Sequence, residues 1–172
     1  MNEIPQILES KEKVIWDGKP QYAPYITSAI IGSLIGAAIL GIVINIFLKS
    51  ILWASVLGGS SFIVSVIVRN LAYARTHYTI TNKRTVIQSG IIGRDFKSID
   101  YDRMQNVSAE VGLLGVIFKV GNIKIFTGEV ETTGGKNPTI ESKYDNFDYI
   151  SSPYEVLKKL QTHLSVRKEK LH

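Results

Sequence analysis

The sequence predicts a transmembrane α-helical hairpin followed by an α+β domain, in which about seven short strands form a sandwich or barrel capped by a C-terminal amphipathic helix. Three observations predict it. Two long apolar runs without a charged residue lie almost back to back, short segments alternating polar and apolar residues follow, and one helix with strong start signals closes the chain. A mean hydropathy of +0.10 alongside 20% charged residues means that the apolar residues are concentrated in one region.

The first run, ITSAIIGSLIGAAILGIVINIFL from Ile26 to Leu48, is uncharged. As a helix it measures about 34 Å, enough to cross a hydrocarbon core of about 30 Å. The second, Ile51 to Val68, measures about 27 Å and sits at the lower limit for a span. Only Lys49 and Ser50 separate them, so the two form an antiparallel hairpin that enters and leaves on one face. A pair of buried helices is the soluble alternative, but 172 residues leave too little other mass to enclose two uniformly apolar helices. The polar stretch ahead of the first run and the second run behind it argue against a cleaved signal peptide.

Lysine and arginine set the orientation. The connection between the runs has only Lys49, whereas Lys11, Lys13 and Lys19 precede the first run and Arg69, Arg75, Lys83 and Arg84 follow the second. The positive-inside rule then places both termini in the cytoplasm of a multi-pass protein of the cell membrane. The chain has no cysteine, which agrees with a reducing compartment without requiring one. Within the runs, Gly32, Gly36 and Gly41 and then Ser55 and Gly59 form small-residue stripes. Such stripes let helices approach closely, either within the hairpin or against a second copy or another membrane protein.

Past Asn70 the pattern changes to strands, read at Tyr73 to Thr81, Arg84 to Ser89, Arg94 to Tyr101, Arg103 to Ser108 and Asn122 to Thr127, with weaker ones at Thr139 to Lys143 and Phe147 to Ile150. Gly112 to Gly121 reads as a short helix or a buried connection. The closing SSPYEVLKKLQTHL offers Ser152 as a cap, Pro153 at the first helical position and Glu155 for a capping box. Val156, Leu157, Leu160 and Leu164 then form an apolar stripe for a sheet to cover. The chain divides into a leader at 1–25, a hairpin at 26–69 with spans at 26–48 and 51–68, and a domain at 70–172.

The order of residues in that domain resembles a known family. Tyr78 and Thr81 with Arg84 across the first turn, Gly90 after the second strand, the strand Arg103 to Val107, the Gly-Leu-Leu-Gly from Gly112 to Gly115, and Gly121-x-Ile123-x-Ile125 are similar to the bacterial pleckstrin-homology-like (PH-like) domain family of membrane proteins, formerly a domain of unknown function. EKVIWDGKP, Glu12 to Pro20, resembles the leader found ahead of the paired spans in that group. Val116 and Lys119 depart from the pattern after the Gly-Leu-Leu-Gly. The resemblance implies a PH-like scaffold that binds lipid headgroups, peptides or further copies of itself, and the fold does not choose among them.

No catalytic constellation is legible. His77, His163 and His172 are isolated, and HExxH, GxSxG and P-loop patterns are absent. Asp95, Asp100 and Asp102 alternate with Lys97 and Arg103, as surface ion pairs do. The net charge of +5 invites nucleic acid, but both signs are interleaved and the aromatics suit strand packing, so the reading has no nucleic-acid partner and no cofactor.

Two candidate surfaces remain. The return from the first β-hairpin brings Ile91 and Ile92, flanked by Gly90 and Gly93 and followed by Arg94 and Lys97, back toward the membrane, where they suit a shallow bilayer-dipping loop with an anionic headgroup contact. Arg69 and Arg75 are juxtamembrane anchors beside it, and Trp16 either joins them at the interface or packs on the domain. The Asn82, Lys83, Arg84 turn lies roughly 25 Å from the helix end, beyond a Debye length of about 8 Å, and suits a soluble protein partner. The expected function is a non-enzymatic interaction module that organises protein partners or its own assembly at the membrane, with anionic lipid binding by Gly90 to Lys97 as the alternative.

Overall fold

The computed structural model describes residues 2–133 and 139–169. Helix α1 runs over Tyr22–Leu48 and α2 over Ile51–Arg75. The reversal between them is made by Lys49, which adopts a left-handed conformation (φ 49°) and donates its N–H to the Asn45 carbonyl at 2.9 Å. Both helices outrun the predicted spans. No Gly or Pro interrupts α2 after Gly59, and Leu71, Ala72, Ala74 and Arg75 are strong helix formers, so the helix absorbs Tyr73 to Arg75, which were read as strand. Neither helix is enclosed by the rest of the protein: Phe47 is 81% exposed and Ile51 78%. That exposure rules out the soluble alternative of two buried core helices.

The seam of the hairpin is narrow. A Cβ added at Gly58 would stand 3.1 Å from the Ala37 carbonyl oxygen, and one at Gly41 would stand 3.6 Å from that of Ala54. Gly32, Gly36 and Gly59 face open space, and the Ser55 hydroxyl donates to the Ile51 carbonyl of its own helix at 2.8 Å. Of the glycines singled out in the sequence, Gly41 is the one whose added Cβ would touch the facing helix, and it is Gly58, not Gly59, that makes the closest approach from α2. Consecutive helical residues point about 100° apart, so one position decides whether a glycine meets the partner helix or lipid. Gly58→Leu is expected to open the hairpin and lower its thermal midpoint in detergent, whereas Gly59→Leu should leave the midpoint within about 1 °C, a contrast readable by circular dichroism.

The strands are β1 (Val14–Gly18), β2 (His77–Thr81), β3 (Arg84–Ser89), β4 (Asp95–Asp100), β5 (Asn106–Glu110), β6 (Val120–Thr133) and β7 (Thr139–Ser151), with short helix α3 (Leu113–Phe118) before β6 and α4 (Pro153–Glu169) after β7. They form two open antiparallel sheets, ordered β1-β2-β3-β4 and β5-β6-β7. The architecture among the described residues is therefore a sandwich of two sheets with a capping helix, and neither sheet closes into a barrel. Seven strands are present among the described residues, but not the seven read from the sequence. The two weak segments at 139–143 and 147–150 are one strand, β7, and the seventh is β1, from the leader. A 3-10 turn at Tyr101–Arg103 occupies the start of the strand read from Arg103.

Tyr78, Ile80, Ile99, Tyr101, Val107, Ile123, Ile125, Phe147 and Ile150 fill the space between the sheets, and Val156 and Leu160 of α4 close one end. Burial of that α4 stripe follows the helical spacing seen in the sequence. Its start differs in detail: Ser152 takes a left-handed conformation (φ 52°), and its carbonyl accepts from the N–H groups of Glu155 and Val156 at 3.1 and 3.3 Å.

Candidate membrane-facing site

The two chain connections between hairpin and domain are short and hydrogen-bonded. Ahead of α1, the Gln21 N–H donates to the Tyr149 carbonyl at 2.9 Å and its side-chain amide to the Ser151 hydroxyl at 2.6 Å. Behind α2, Thr76 alone leads into β2, with its hydroxyl donating to the Ala72 carbonyl at 2.8 Å. Between these connections sits an aromatic belt that the sequence reading missed. Tyr73 of α2 lies 4.9 Å from Tyr22 and 5.5 Å from Tyr25 of α1, Tyr25 lies 6.2 Å from Tyr149 of β7, and the Lys19 ammonium stands 5.5 Å over the Tyr73 ring. Tyrosines just outside an apolar run are the usual interfacial anchors, and that adjacency was the signal available in the sequence. Trp16 is not among them. It stacks on Phe147 at 5.9 Å and packs on the domain.

The loop after β3 is clamped to the last residue of α2. Arg75 donates from one guanidinium nitrogen to the carbonyls of Ile92 and Gly93, at 2.6 and 3.2 Å. Gly90 makes the return possible: its φ of +130° is closed to other residues, and a Cβ there would meet the Gly93 carbonyl oxygen at 2.5 Å. With the loop so held, Ile91 is 42% exposed, Ile92 93% exposed, and the Arg94 side chain 59% exposed while paired to Glu3 at 2.8 Å. Lys97 is drawn off to the second sheet, 2.8 Å from Asp145 and 3.9 Å from Glu129. Arg75 thus holds in place the segment that carries Ile91, Ile92 and Arg94, whereas Arg69 lines a pocket of about 230 Å³ with Tyr25, Ser28, Asp148 and Tyr149 under the belt.

Burial in that pocket pushes the Asp148 carboxyl above its ordinary value, with Arg69 and then Lys124 pulling the other way. A raised carboxyl pKa means the folded state holds the proton more tightly, so this group's stability is present at low pH and lost as pH rises toward neutrality. Asp148→Asn is accordingly expected to raise the thermal midpoint at pH 7 and to lose that advantage in acid, below about pH 3.8, in a pH series of melts.

The turn at Asn82 to Arg84 is occupied by the chain's own leader. Asn82 exchanges hydrogen bonds with Lys13: its side-chain oxygen accepts the Lys13 N–H at 2.8 Å, and its N–H donates to the Lys13 carbonyl at 3.0 Å. Lys83 pairs with Glu9 at 2.7 Å. Arg84 forks onto both carboxylate oxygens of Glu12, each at 3.1 Å, and also donates to the Ile7 carbonyl and the Ser98 hydroxyl. A leader read as separate from the domain therefore supplies an edge strand, an ion pair to Lys83 and the acid for Arg84. Sequence alone could not reveal this, because the partners stand about seventy positions apart.

A family model described as bacterial PH domain matches residues 26–167, the hairpin and nearly all of the domain. The chain belongs to this family. No curated protein matches the chain. A crystal structure of a duf1696 family protein with a pleckstrin-homology domain, from Shewanella loihica PV-4, is similar over 54% of this chain and 73% of that one, at 17% identity and a TM-score of 0.36. This bacterial PH-domain protein is a non-catalytic, membrane-associated module with more than one span. Among its described residues no group of three or more His, Cys, Asp or Glu could hold a metal ion, and His172 lies outside them.

Proposed function

We propose that the protein is a membrane-anchored module whose PH domain, on the cytoplasmic side, is seated on the bilayer through Gly90 to Lys97 and senses anionic headgroups there. The exposure of Ile92 on a loop clamped to the final residue of a spanning helix carries this reading. A shallow apolar contact of that kind, with Arg94 beside it, draws on both hydrophobic burial and surface potential. Phosphate oxygens compete with Glu3 for Arg94, and each basic residue near an anionic surface contributes about 1 kcal/mol. Orientation rests on the basic flanks of the hairpin. The Asn82 to Arg84 turn becomes a weaker candidate for a soluble partner, since its hydrogen bonds are satisfied by the leader.

The test uses the full chain, because a domain cut at Asn70 would lack β1. In nanodiscs, amide exchange across residues 90–97 should be slower in anionic than in neutral lipid, and an Ile92→Ser/Arg94→Glu double substitution should abolish the difference. Equal exchange in both lipids would reject headgroup sensing. For Arg94→Glu alone, reversing one charge corresponds to about 2 kcal/mol, or roughly thirtyfold in the loop's docking equilibrium.

A second reading, assembly within the bilayer, is supported by the glycines that the hairpin leaves unused. Gly32 and Gly36 open onto a groove of about 300 Å³ with Ser28, Ser33, Ser61 and Ser65. Small and hydroxylated residues suit a helix of a second copy or of another membrane protein. Gly32→Leu/Gly36→Leu should then change the oligomer profile in detergent, and an unchanged profile would remove this reading.

A further inference from the structure

Helix α3 carries an apolar face that no described residue covers. Leu113, Val116 and Ile117 are 80%, 69% and 63% exposed, and their i, i+3, i+4 spacing puts them on one side. The opposite side is pinned. Gly115 is buried, and a Cβ there would stand 2.5 Å from the Val120 carbonyl oxygen, so the start of β6 fixes which way the helix is rolled. Lys119 then ends the helix in a left-handed conformation (φ 55°), adding an exposed positive charge next to the apolar face.

Position decides what covers that face. α3 packs beside α1 as well as β6. The cleft it forms with Gly121 and Asn122 also holds Tyr149, whose N–H donates to the Asn122 side-chain oxygen at 2.8 Å and whose ring meets Tyr25 in the first turn of α1. α3 therefore stands at the level of the tyrosine belt, where α1 enters its apolar run. A short apolar helix that packs one side on β6, exposes the other and ends on a cation suits the boundary between headgroups and acyl chains when placed at that height.

We infer that α3 is a second bilayer contact, with Leu113, Val116 and Ile117 sunk into the boundary between headgroups and acyl chains. Continuity with the spanning helix α1 selects lipid as the occupant. This goes beyond the loop contact proposed above, because it involves a different element beside the other helix of the hairpin. Ile92 hangs from the end of α2 and α3 flanks the start of α1, so the two contacts fix the tilt of the domain against the membrane.

The absence of cysteine allows a direct test. Single variants Val116→Cys, Ile92→Cys and, as a water-facing control on α4, Lys158→Cys are labelled with an environment-sensitive fluorophore in the full chain. Each is placed in nanodiscs with and without lipids spin-labelled near the headgroup. The label at 116 should emit at shorter wavelength than that at 158 and be quenched at least twofold more by the spin-labelled lipid. Quenching at 116 equal to that at 158, with equal access to aqueous iodide, overturns the inference. A blue-shifted label at 116 that lipid does not quench also overturns it, because protein would then cover the face. Quenching at 116 without quenching at 92 supports α3 and removes the loop contact, while the reverse removes only α3.

Discussion

Glu12→Gln is expected to destabilise the folded domain by about 3 kcal/mol, near the low end for removing one partner of a buried ion pair. The Glu12 side chain is fully enclosed and the Arg84 side chain only 18% exposed, so the substitution leaves a guanidinium with little water to replace the carboxylate. The effect should reach further than the pair. Arg84 also holds the Ile7 carbonyl, and Glu12 accepts from the Thr81 hydroxyl at 2.8 Å, so the same contact ties leader, β2 and β3 together. Burial raises the Glu12 carboxyl, but hydrogen bonds from Arg84, from backbone and from Thr81 outweigh it and hold the group below its ordinary value. A lowered carboxyl pKa contributes stability that is present above pH 4.5 and lost as pH falls through the lowered value. The gap between wild type and Glu12→Gln in denaturant midpoint should therefore be widest near neutrality and narrow in acid. A gap that did not change with pH would show that Glu12 acts through packing and not through its charge.

Phe147→Ala should cost about 4 kcal/mol, in the range for emptying a buried aromatic site. Phe147 has no solvent exposure and is sandwiched between Tyr78 of β2 at 4.5 Å and Trp16 of β1 at 5.9 Å, both nearly parallel to it. It is the place where the second sheet, the first sheet and the leader strand meet. A double-mutant cycle with Trp16→Ala should show coupling of about 1 kcal/mol, read from denaturant midpoints of the full chain in micelles. Additive losses would mean that β1 is held by its ladder to β2 and by hydrogen bonds such as that from the Thr79 hydroxyl to Asp17, and not by the ring stack.

Much of this architecture was legible in the sequence because it rests on local patterns. Uninterrupted apolar runs defined the hairpin, alternation defined β2 and β3, and the stripe through Val156 and Leu160 defined the helix that closes the sandwich. The apolar loop at Ile91 and Ile92 was legible for the same reason, since two glycines and a following arginine are neighbours in the chain. The helix end at Arg75 was misread, because the alternation that begins at Tyr73 outweighed the helix propensity of Ala74 and Arg75, which carries α2 on to Arg75.

What only the tertiary structure decided are the relations between distant residues. The sequence leaves Trp16 between the interface and the domain and shows Asn82 to Arg84 as a solvent-facing turn, yet β1 and Glu12 take them into the fold, because an edge strand finds its partner by ladder hydrogen bonds across about sixty residues and leaves no local trace. Gly58 and not Gly59 meets α1, because a helix turns by about 100° per residue and the roll of one helix against the other is set by packing. The exposed face of α3 follows from Gly115 lying against Val120. Sequence alone determined that this chain has two apolar helices long enough to span and a strand-rich domain, since periodicity and apolar length act within a few residues; which side chains are enclosed and which stay exposed was decided by contacts that exist only once the sheets and the hairpin are packed together.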